Sequence, residues 1–225
     1  MAQHSVLGEE LWLELGEFFP AFATNILKSR KMTKSVKEVS LTVQHICSIS
    51  SSPNSLVDDV IVSLINMLPR MNDSSSSVVD TVWLALKMAV RKYQHSKVIR
   101  VLLKSNPGTN PSLKEVNVPI MRRRIMFLLE SILTLWEDAR PLRKQKVGII
   151  EAINAGIYDS DGETRQCARR AWHGLHSHFP NEAADLLRKL TSSQQNLILG
   201  KVAESRRPSR QGSRANSPGR GTRQG

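Results

Sequence analysis

Residues 143–179 read RKQKVGIIEAINAGIYDSDGETRQCARRAWHGLHSHF, and this stretch decides the fold. Apolar residues recur at helical spacing on both sides of an acidic, glycine-containing turn at residues 159–162. The two stripes comprise Ile149, Ile150, Ile153 and Ile157 before the turn, and Thr164, Cys167, Ala168, Ala171, Trp172, Leu175 and Phe179 after it. Ser160 and Glu163 have the spacing of a capping box, which predicts Ser160 as the N-cap of the second helix. The sequence therefore predicts an antiparallel helical hairpin.

The same pattern occurs three more times upstream. Hairpins are predicted over residues 18–50, 56–93 and 98–136, the last with a long proline-containing loop. A single amphipathic hairpin cannot bury its apolar stripe, so neighbouring hairpins must stack to form one core. Successive hairpins are spaced by roughly 40 residues, which is the period of HEAT-type repeats. The sequence therefore predicts an all-α HEAT-repeat solenoid, and Pro141 and Pro180 bracket its fourth repeat.

Composition favours a protein of a reducing compartment. The chain has 225 residues, of which 40% are hydrophobic, and it lacks alternating β-branched runs joined by tight turns. Cys47 and Cys167 both fall in predicted helices and indicate no disulfide framework. No apolar run reaches the roughly 18 residues of a membrane span, and the N-terminus lacks the pattern of a signal peptide. We therefore expect a cytosolic or nuclear protein.

Three segments are predicted along the chain. Residues 18–204 form the repeat domain, and residues 1–17 are a partial N-terminal cap, the remnant of a first repeat, in which Trp12 packs on the core. Residues 205–225 contain six arginines, no acidic residue and no large apolar side chain, so we expect this tail to be disordered. The tail carries half of the net charge of +12, and both parts of the chain therefore favour an acidic partner.

Basic residues occur in or beside every turn within a predicted hairpin. In a stacked solenoid these turns lie along one edge, so cations far apart in sequence come together there. They are Lys28, Arg30, Lys31 and Lys34 in the first hairpin, Arg70 in the second, Lys104, Lys114, Arg122, Arg123 and Arg124 in the third, and Arg165 and Arg169 in the fourth. Solvated helix ends are often charged as well, so the pattern alone leaves both explanations open.

The C-terminal hairpins resemble part of a TOG domain of the CLASP family, the cytoplasmic linker-associated proteins of microtubules. The ordered features that carry the resemblance are Arg122–Arg124, Trp136, Asp159–Asp161, Arg165–Arg169, Trp172 and His178–Pro180. The hairpins at residues 18–50 and 56–93 extend it more weakly. Three features depart from the family pattern: a complete first repeat is missing, the loop at residues 105–118 is longer, and no Ser-x-Ile-Pro stretch for end-binding proteins occurs.

This resemblance implies a binding module rather than an enzyme, with no cofactor and no membrane. TOG domains are HEAT-repeat paddles whose turns dock on the tubulin heterodimer, and CLASP proteins stabilise microtubules, promote rescue and organise the spindle. The resemblance implies a location in the cytoplasm, on the microtubule cytoskeleton and the spindle. The tubulin-binding residues carried over from it are Lys31, Lys34, Arg70, Lys114, Arg122, Arg123, Arg165 and Arg169.

Other candidate sites are weaker. His173, His176 and His178 form a ligand-like cluster, in which the first two are one turn apart and could share a metal. No carboxylate or thiol completes the set, so hydrogen-bonded histidines at a helix end are favoured. The isolated glycines form no phosphate-binding loop. Ser209, Ser213 and Ser217 in the basic tail are candidate phosphorylation sites, because phosphate there would cancel the charge of the arginines and weaken contacts with an acidic lattice.

Two alternative functions stay open from the sequence. A basic helical solenoid with an Arg, Gly and Ser-rich tail could bind RNA, although the tail has no aromatic residue for base stacking and the repeats show no base-reading pattern. A protein scaffold of the importin or phosphatase-subunit kind, which binds peptides on its repeat faces, is the other alternative.

Overall fold

The computed structural model describes residues 18–28, 33–49, 58–71, 77–107 and 119–200. All regular structure in these ranges is helical, and they contain no β-strand. The helices are α1 at residues 18–27, α2 (Lys34–Ser48), α3 (Asp58–Asn66), α4 (Ser77–Lys92), α5 (Ser96–Lys104), α6 (Pro119–Leu135), α7 (Arg140–Arg143), α8 (Lys146–Ile157), α9 (Gly162–His178), α10 (Pro180–Lys189) and α11 (Ser192–Ile198), with a short 3-10 helix at Leu68–Arg70.

The helices form two layers. In one layer α2 packs on α4, α4 on α6, α6 on α9 and α9 on α11, and in the other α3 packs on α5, α5 on α8 and α8 on α10. The hairpins α3–α4, α5–α6 and α8–α9 each contribute one helix to each layer. The prediction of an all-α helical-repeat solenoid is therefore confirmed. The short helix α7, which has Pro141 in its first turn, connects the third hairpin to the fourth.

The apolar stripes of the hairpins merge into one continuous core. In the fourth hairpin Ile149, Ile153 and Ile157 are buried on α8, and Trp172 and Leu175 are buried on α9. These side chains belong to one core cluster with buried residues of the other hairpins, and α9 packs on α6 of the preceding hairpin as well as on α8 and α10. The core thus forms by stacking of hairpins, because an isolated hairpin would leave its apolar stripe exposed to solvent.

Two glycines allow close helix packing in the fourth repeat. A Cβ on Gly174 of α9 would lie 2.9 Å from both the carbonyl carbon and the carbonyl oxygen of Leu133 in α6, which cannot move aside as a flexible side chain could. A Cβ on Gly156 of α8 would lie 2.9 Å from Cβ of Ala168 in α9. The tight contacts of α9 with α6 and α8 therefore depend on these glycines.

The helix ends opposite the intra-hairpin turns are linked from one repeat to the next. The Nζ atom of Lys92, at the end of α4, donates to the carbonyls of Ile46 and Ile49 at the end of α2. The Nε1 atom of Trp136 donates to Val90 O over 2.9 Å, and Nε2 of His178 lies 3.0 Å from Leu133 O. At the ends of α4, α6 and α9, a side-chain nitrogen thus lies against a carbonyl near the C-terminal end of the preceding helix of the layer, where carbonyls lack intrahelical partners.

The predicted start of α9 is wrong by one residue. Asp161, not Ser160, is the N-cap, and its carboxylate accepts the backbone N–H of Thr164 over 2.8 Å. A charged carboxylate in extended backbone is a stronger acceptor for this orphan N–H than the preceding hydroxyl. The predicted segments at residues 1–17, with Trp12, and 205–225, with Ser209, Ser213 and Ser217, lie outside the described residues.

Candidate functional site

The N-terminal ends of the helices α2, α4, α6 and α9 lie along one edge of the solenoid. Adjacent helices of this layer run parallel: Nζ of Lys37 near the start of α2 donates to Oγ of Ser77 at the start of α4 over 3.3 Å, and the α4, α6 and α9 C-terminal ends also meet their neighbours. We call this edge the turn edge. Among the described residues it consists of the N-terminal ends of these four helices and the turn at residues 158–161 between α8 and α9.

Arg122 and Arg123 of the third repeat, which the sequence predicts as tubulin-binding residues, bind the acidic turn of the fourth repeat. Nε of Arg122 lies 2.7 Å from Oδ2 of Asp159, and its Nη2 donates to Oδ1 of the same carboxylate over 3.2 Å. Nη2 and Nε of Arg123 donate to the two oxygens of Asp161 over 2.8 and 3.2 Å. Both pairs are therefore bidentate, the geometry in which guanidinium and carboxylate bind most strongly.

The two ion pairs differ in their access to solvent. The side chains of Arg122 and Asp159 are only 12% and 9% exposed, so the first pair is mostly buried between repeats. The side chain of Arg123 is 40% exposed, while Asp161 is 14% exposed. Arg122 is therefore a structural link between repeats, whereas Arg123 also presents part of its surface to solvent.

A third predicted arginine folds over the same turn. Nη1 of Arg165 donates to the carbonyl oxygens of Asp159 and Ser160 over 2.8 and 2.7 Å. The Arg123 guanidinium, followed by the N–H and hydroxyl of Thr164, holds the pKa of Asp161 well below its usual range. The fourth turn is thus an interlocked cluster of three arginines and two aspartates.

The other predicted basic residues that the structure describes lie on the turn edge or close to it. Lys34 is the first residue of α2 and is exposed, and Lys28 is exposed just after α1. Arg169 is half-buried one turn beyond Arg165, and its Nε has no hydrogen-bond partner among the residues that the structure describes. Arg70 ends the 3-10 helix in the second turn. Lys31 and Lys114 lie outside the described residues.

Sequence reasoning missed the partners of these arginines. It identified the acidic turn but did not pair Asp159 and Asp161 with Arg122 and Arg123. A signal existed, because the two arginines precede the two aspartates by 37 and 38 residues, close to one repeat length. Arg124 also has a structural role: its guanidinium donates to Met71 O and lies 5.8 Å from the centre of the Trp83 ring.

The histidines of α9 pack against their own helix and its neighbour. The rings of His173 and His176 lie 5.2 and 5.3 Å from the ring of Trp172, and His178 contacts α6 through Leu133 O. Over the described ranges, no group of three or more His, Cys, Asp or Glu side chains has the arrangement of a metal site. Burial raises the pKa of the Cys167 thiol to about 11, which makes it a poor nucleophile.

None of the described helices combines the length and the apolar content that crossing a bilayer requires.

Comparison with known proteins gives relatives of one kind. No family model matches the chain. CLIP-associating protein 1 of Xenopus tropicalis is 27% identical over 164 residues, which are 72% of this chain and 10% of that protein. Protein CLASP-3 of Caenorhabditis briggsae is 38% identical over 85 residues, which are 37% of this chain and 9% of that protein.

Protein CLASP-2 of the same nematode is 29% identical over 145 residues, which are 64% of this chain and 17% of that protein. The chain thus spans about a tenth of the length of the first two of these relatives. These matches agree with the resemblance that the arginine, tryptophan and Asp-x-Asp pattern predicts: the chain is similar over part of its length to CLASP and CLIP-associating proteins.

Proposed function

We propose that this chain is a microtubule-associated binding module that docks on tubulin through its turn edge and stabilises microtubules. The observation that carries the proposal is the turn edge itself, where parallel packing brings basic residues from separate hairpins to one side of a rigid scaffold. Its CLASP relatives support the same partner. In this proposal residues 18–204 act as one folded unit in the cytoplasm and perform no catalysis.

The contacts of the arginines divide the proposed site into stronger and weaker contributors. Arg122 is mostly buried and neutralised by Asp159, so it positions the fourth turn rather than meeting the partner. Lys28 and Lys34 are exposed beside the first turn, and Arg123 and Arg169 keep part of their surface accessible. We therefore expect the first turn to contribute most of the attraction, with Arg123, Arg165 and Arg169 adding to it at the fourth.

The attraction should be electrostatic in character. A basic edge speeds the encounter with an acidic partner, and salt weakens it because the Debye length falls to about 8 Å at physiological ionic strength. Binding to microtubules should therefore weaken as salt is raised from low to physiological concentration.

Co-sedimentation of the full chain with stabilised microtubules, with RNA as a competitor, tests the proposed partner. The expected result is saturable binding to microtubules that an equal mass of RNA does not displace. Gel filtration with unpolymerised tubulin then distinguishes free heterodimer from lattice. Displacement by RNA at equal salt would favour the nucleic-acid alternative, and binding to neither polymer would favour a peptide scaffold.

A further inference from the structure

We propose that Ser160, in the turn between α8 and α9, is a phosphorylation site for an acidophilic protein kinase, and that phosphate there reverses the charge of the fourth turn. The effect on binding rests on the proposed function, whereas the modification itself does not.

Ser160 is accessible and surrounded by arginine contacts. It is exposed and lies between the end of α8 at Ile157 and the start of α9 at Gly162, so it is outside regular helix. Its hydroxyl accepts from Nη2 of Arg122 over 3.3 Å, and its carbonyl accepts from Nη1 of Arg165 over 2.7 Å. A phosphate on this oxygen would meet the Arg122 guanidinium, which already donates to the hydroxyl, while Arg165 is held beside it at the carbonyl. In such a setting phosphoserine forms new charge-assisted bonds.

The residues around Ser160 carry the charge pattern that an acidophilic kinase reads. The sequence Asp159-Ser160-Asp161-Gly162-Glu163 places carboxylates directly before the serine, directly after it and three residues after it. Ser35 and Ser77 also precede an acidic residue by three positions, but both lie within helices. In the part of the chain that the structure describes, Ser160 alone combines this pattern with an exposed, non-helical position.

The modification is an ordinary phosphoryl transfer. Oγ of Ser160 attacks the γ-phosphorus of ATP, the bond from that phosphorus to the β–γ bridging oxygen breaks, and ADP leaves. The hydroxyl proton passes to the catalytic carboxylate of the kinase.

The consequence follows from the charge of the cluster. When the charged residues at the start of α9 are included, the cluster carries one excess positive charge, from Arg122, Arg123, Arg165 and Arg169 against Asp159, Asp161 and Glu163. Phosphate adds about two negative charges at neutral pH, which leaves the cluster negative by about one. It would also draw Arg122 and Arg165 toward itself. The fourth turn would then repel an acidic partner that the unmodified turn attracts.

The test treats the folded full chain with a purified acidophilic Ser/Thr kinase and ATP, and phosphate is located by mass spectrometry. We expect near-stoichiometric phosphate on Ser160, its loss in Ser160→Ala, and a markedly lower initial rate in Glu163→Gln, which removes the carboxylate three residues on. Ser177→Ala is the matched control, because Ser177 is an exposed serine of α9, the helix that begins just after Ser160, but is followed by His, Phe and Pro. It should leave incorporation at Ser160 unchanged.

Phosphate that appears on Ser160 only after the chain is denatured, or not at all, would overturn the site. The binding arm compares phosphorylated and untreated chain in co-sedimentation with microtubules, and we expect affinity to fall about tenfold, while kinase-treated Ser160→Ala keeps the affinity of the untreated chain. Equal affinity of the two forms would overturn the charge reversal. An untreated chain that binds no microtubules contradicts the proposed function instead, and the phosphate count still decides the modification site.

Discussion

At the scale of single residues, the ion pair of Arg122 with Asp159 should be a major stabilising contact between repeats. Both side chains are mostly buried, so Arg122→Ala leaves a carboxylate with little solvent and without its guanidinium partner. Breaking such a pair costs about 3 kcal/mol. Urea unfolding should show this loss in the free energy of unfolding.

Arg140→Ala is the control, since its pair with Asp138 is 88% exposed on the arginine side and should contribute little. Equal effects of the two changes would contradict the structural role of Arg122.

The carboxylate of Asp161 should make stability depend on pH in the acidic range. Its pKa in the folded protein is lowered, first by the Arg123 guanidinium and then by Thr164, so the folded state favours the ionised form. The resulting stabilisation is fully present above the unfolded pKa of about 3.9 and is lost as pH falls below it. The free energy of unfolding should therefore decrease from about pH 5 downward.

Asp161→Asn keeps a capping side chain, and this decrease should become shallower in the variant. An unchanged pH profile in Asp161→Asn would show that Asp161 is not responsible.

At the scale of elements, the packing of α9 on α6 should fail when a side chain is added at Gly174. Its Cβ would lie 2.9 Å from the carbonyl carbon and oxygen of Leu133, so the helices must separate, at a cost of about 1–3 kcal/mol. Thermal unfolding should show a lower Tm for Gly174→Ala. Gly162→Ala is the matched control at the start of the same helix, because its Cβ would meet only Nη2 of Arg165 at 3.8 Å. There alanine should be neutral or slightly stabilising.

The elements were predictable where the signal is periodic. The stripes of α8 and α9 predict both helices, because each apolar residue at helical spacing must face the core. The N-cap at Asp161 was predicted one residue early, since two adjacent side chains can both accept the orphan N–H and only geometry selects one. The separate turn α7 was not predicted, because Pro141 is compatible with either a break or a helix start.

At the scale of the whole molecule, the solenoid follows from the repeat period, but the contacts between repeats do not. Arg122 binds Asp159, which is 37 residues away in the sequence, and Trp136 donates to Val90, which is 46 residues away. Such pairs form only when the stacked helices are in register. The pattern of a single hairpin therefore does not predict them. The sequence therefore identifies the basic turn edge, whereas the structure shows which of its arginines are engaged within the chain.

The central claim is that the turn edge, rather than net charge, binds tubulin, and one comparison of two variants tests it most directly. Lys28→Glu with Lys34→Glu reverses the exposed cations beside the first turn. Arg143→Glu with Lys144→Glu makes the same change in charge at two exposed residues, the last residue of α7 and the one after it, in a connection between repeats. Circular dichroism should confirm that both variants stay folded.

The dissociation constant for microtubules is then measured for both variants at one salt concentration. The account predicts a loss of affinity of at least about tenfold for the turn-edge variant and less than about twofold for the control. Equal losses would show that the chain responds only to net charge, and an unchanged affinity of the turn-edge variant would contradict the assignment of this edge.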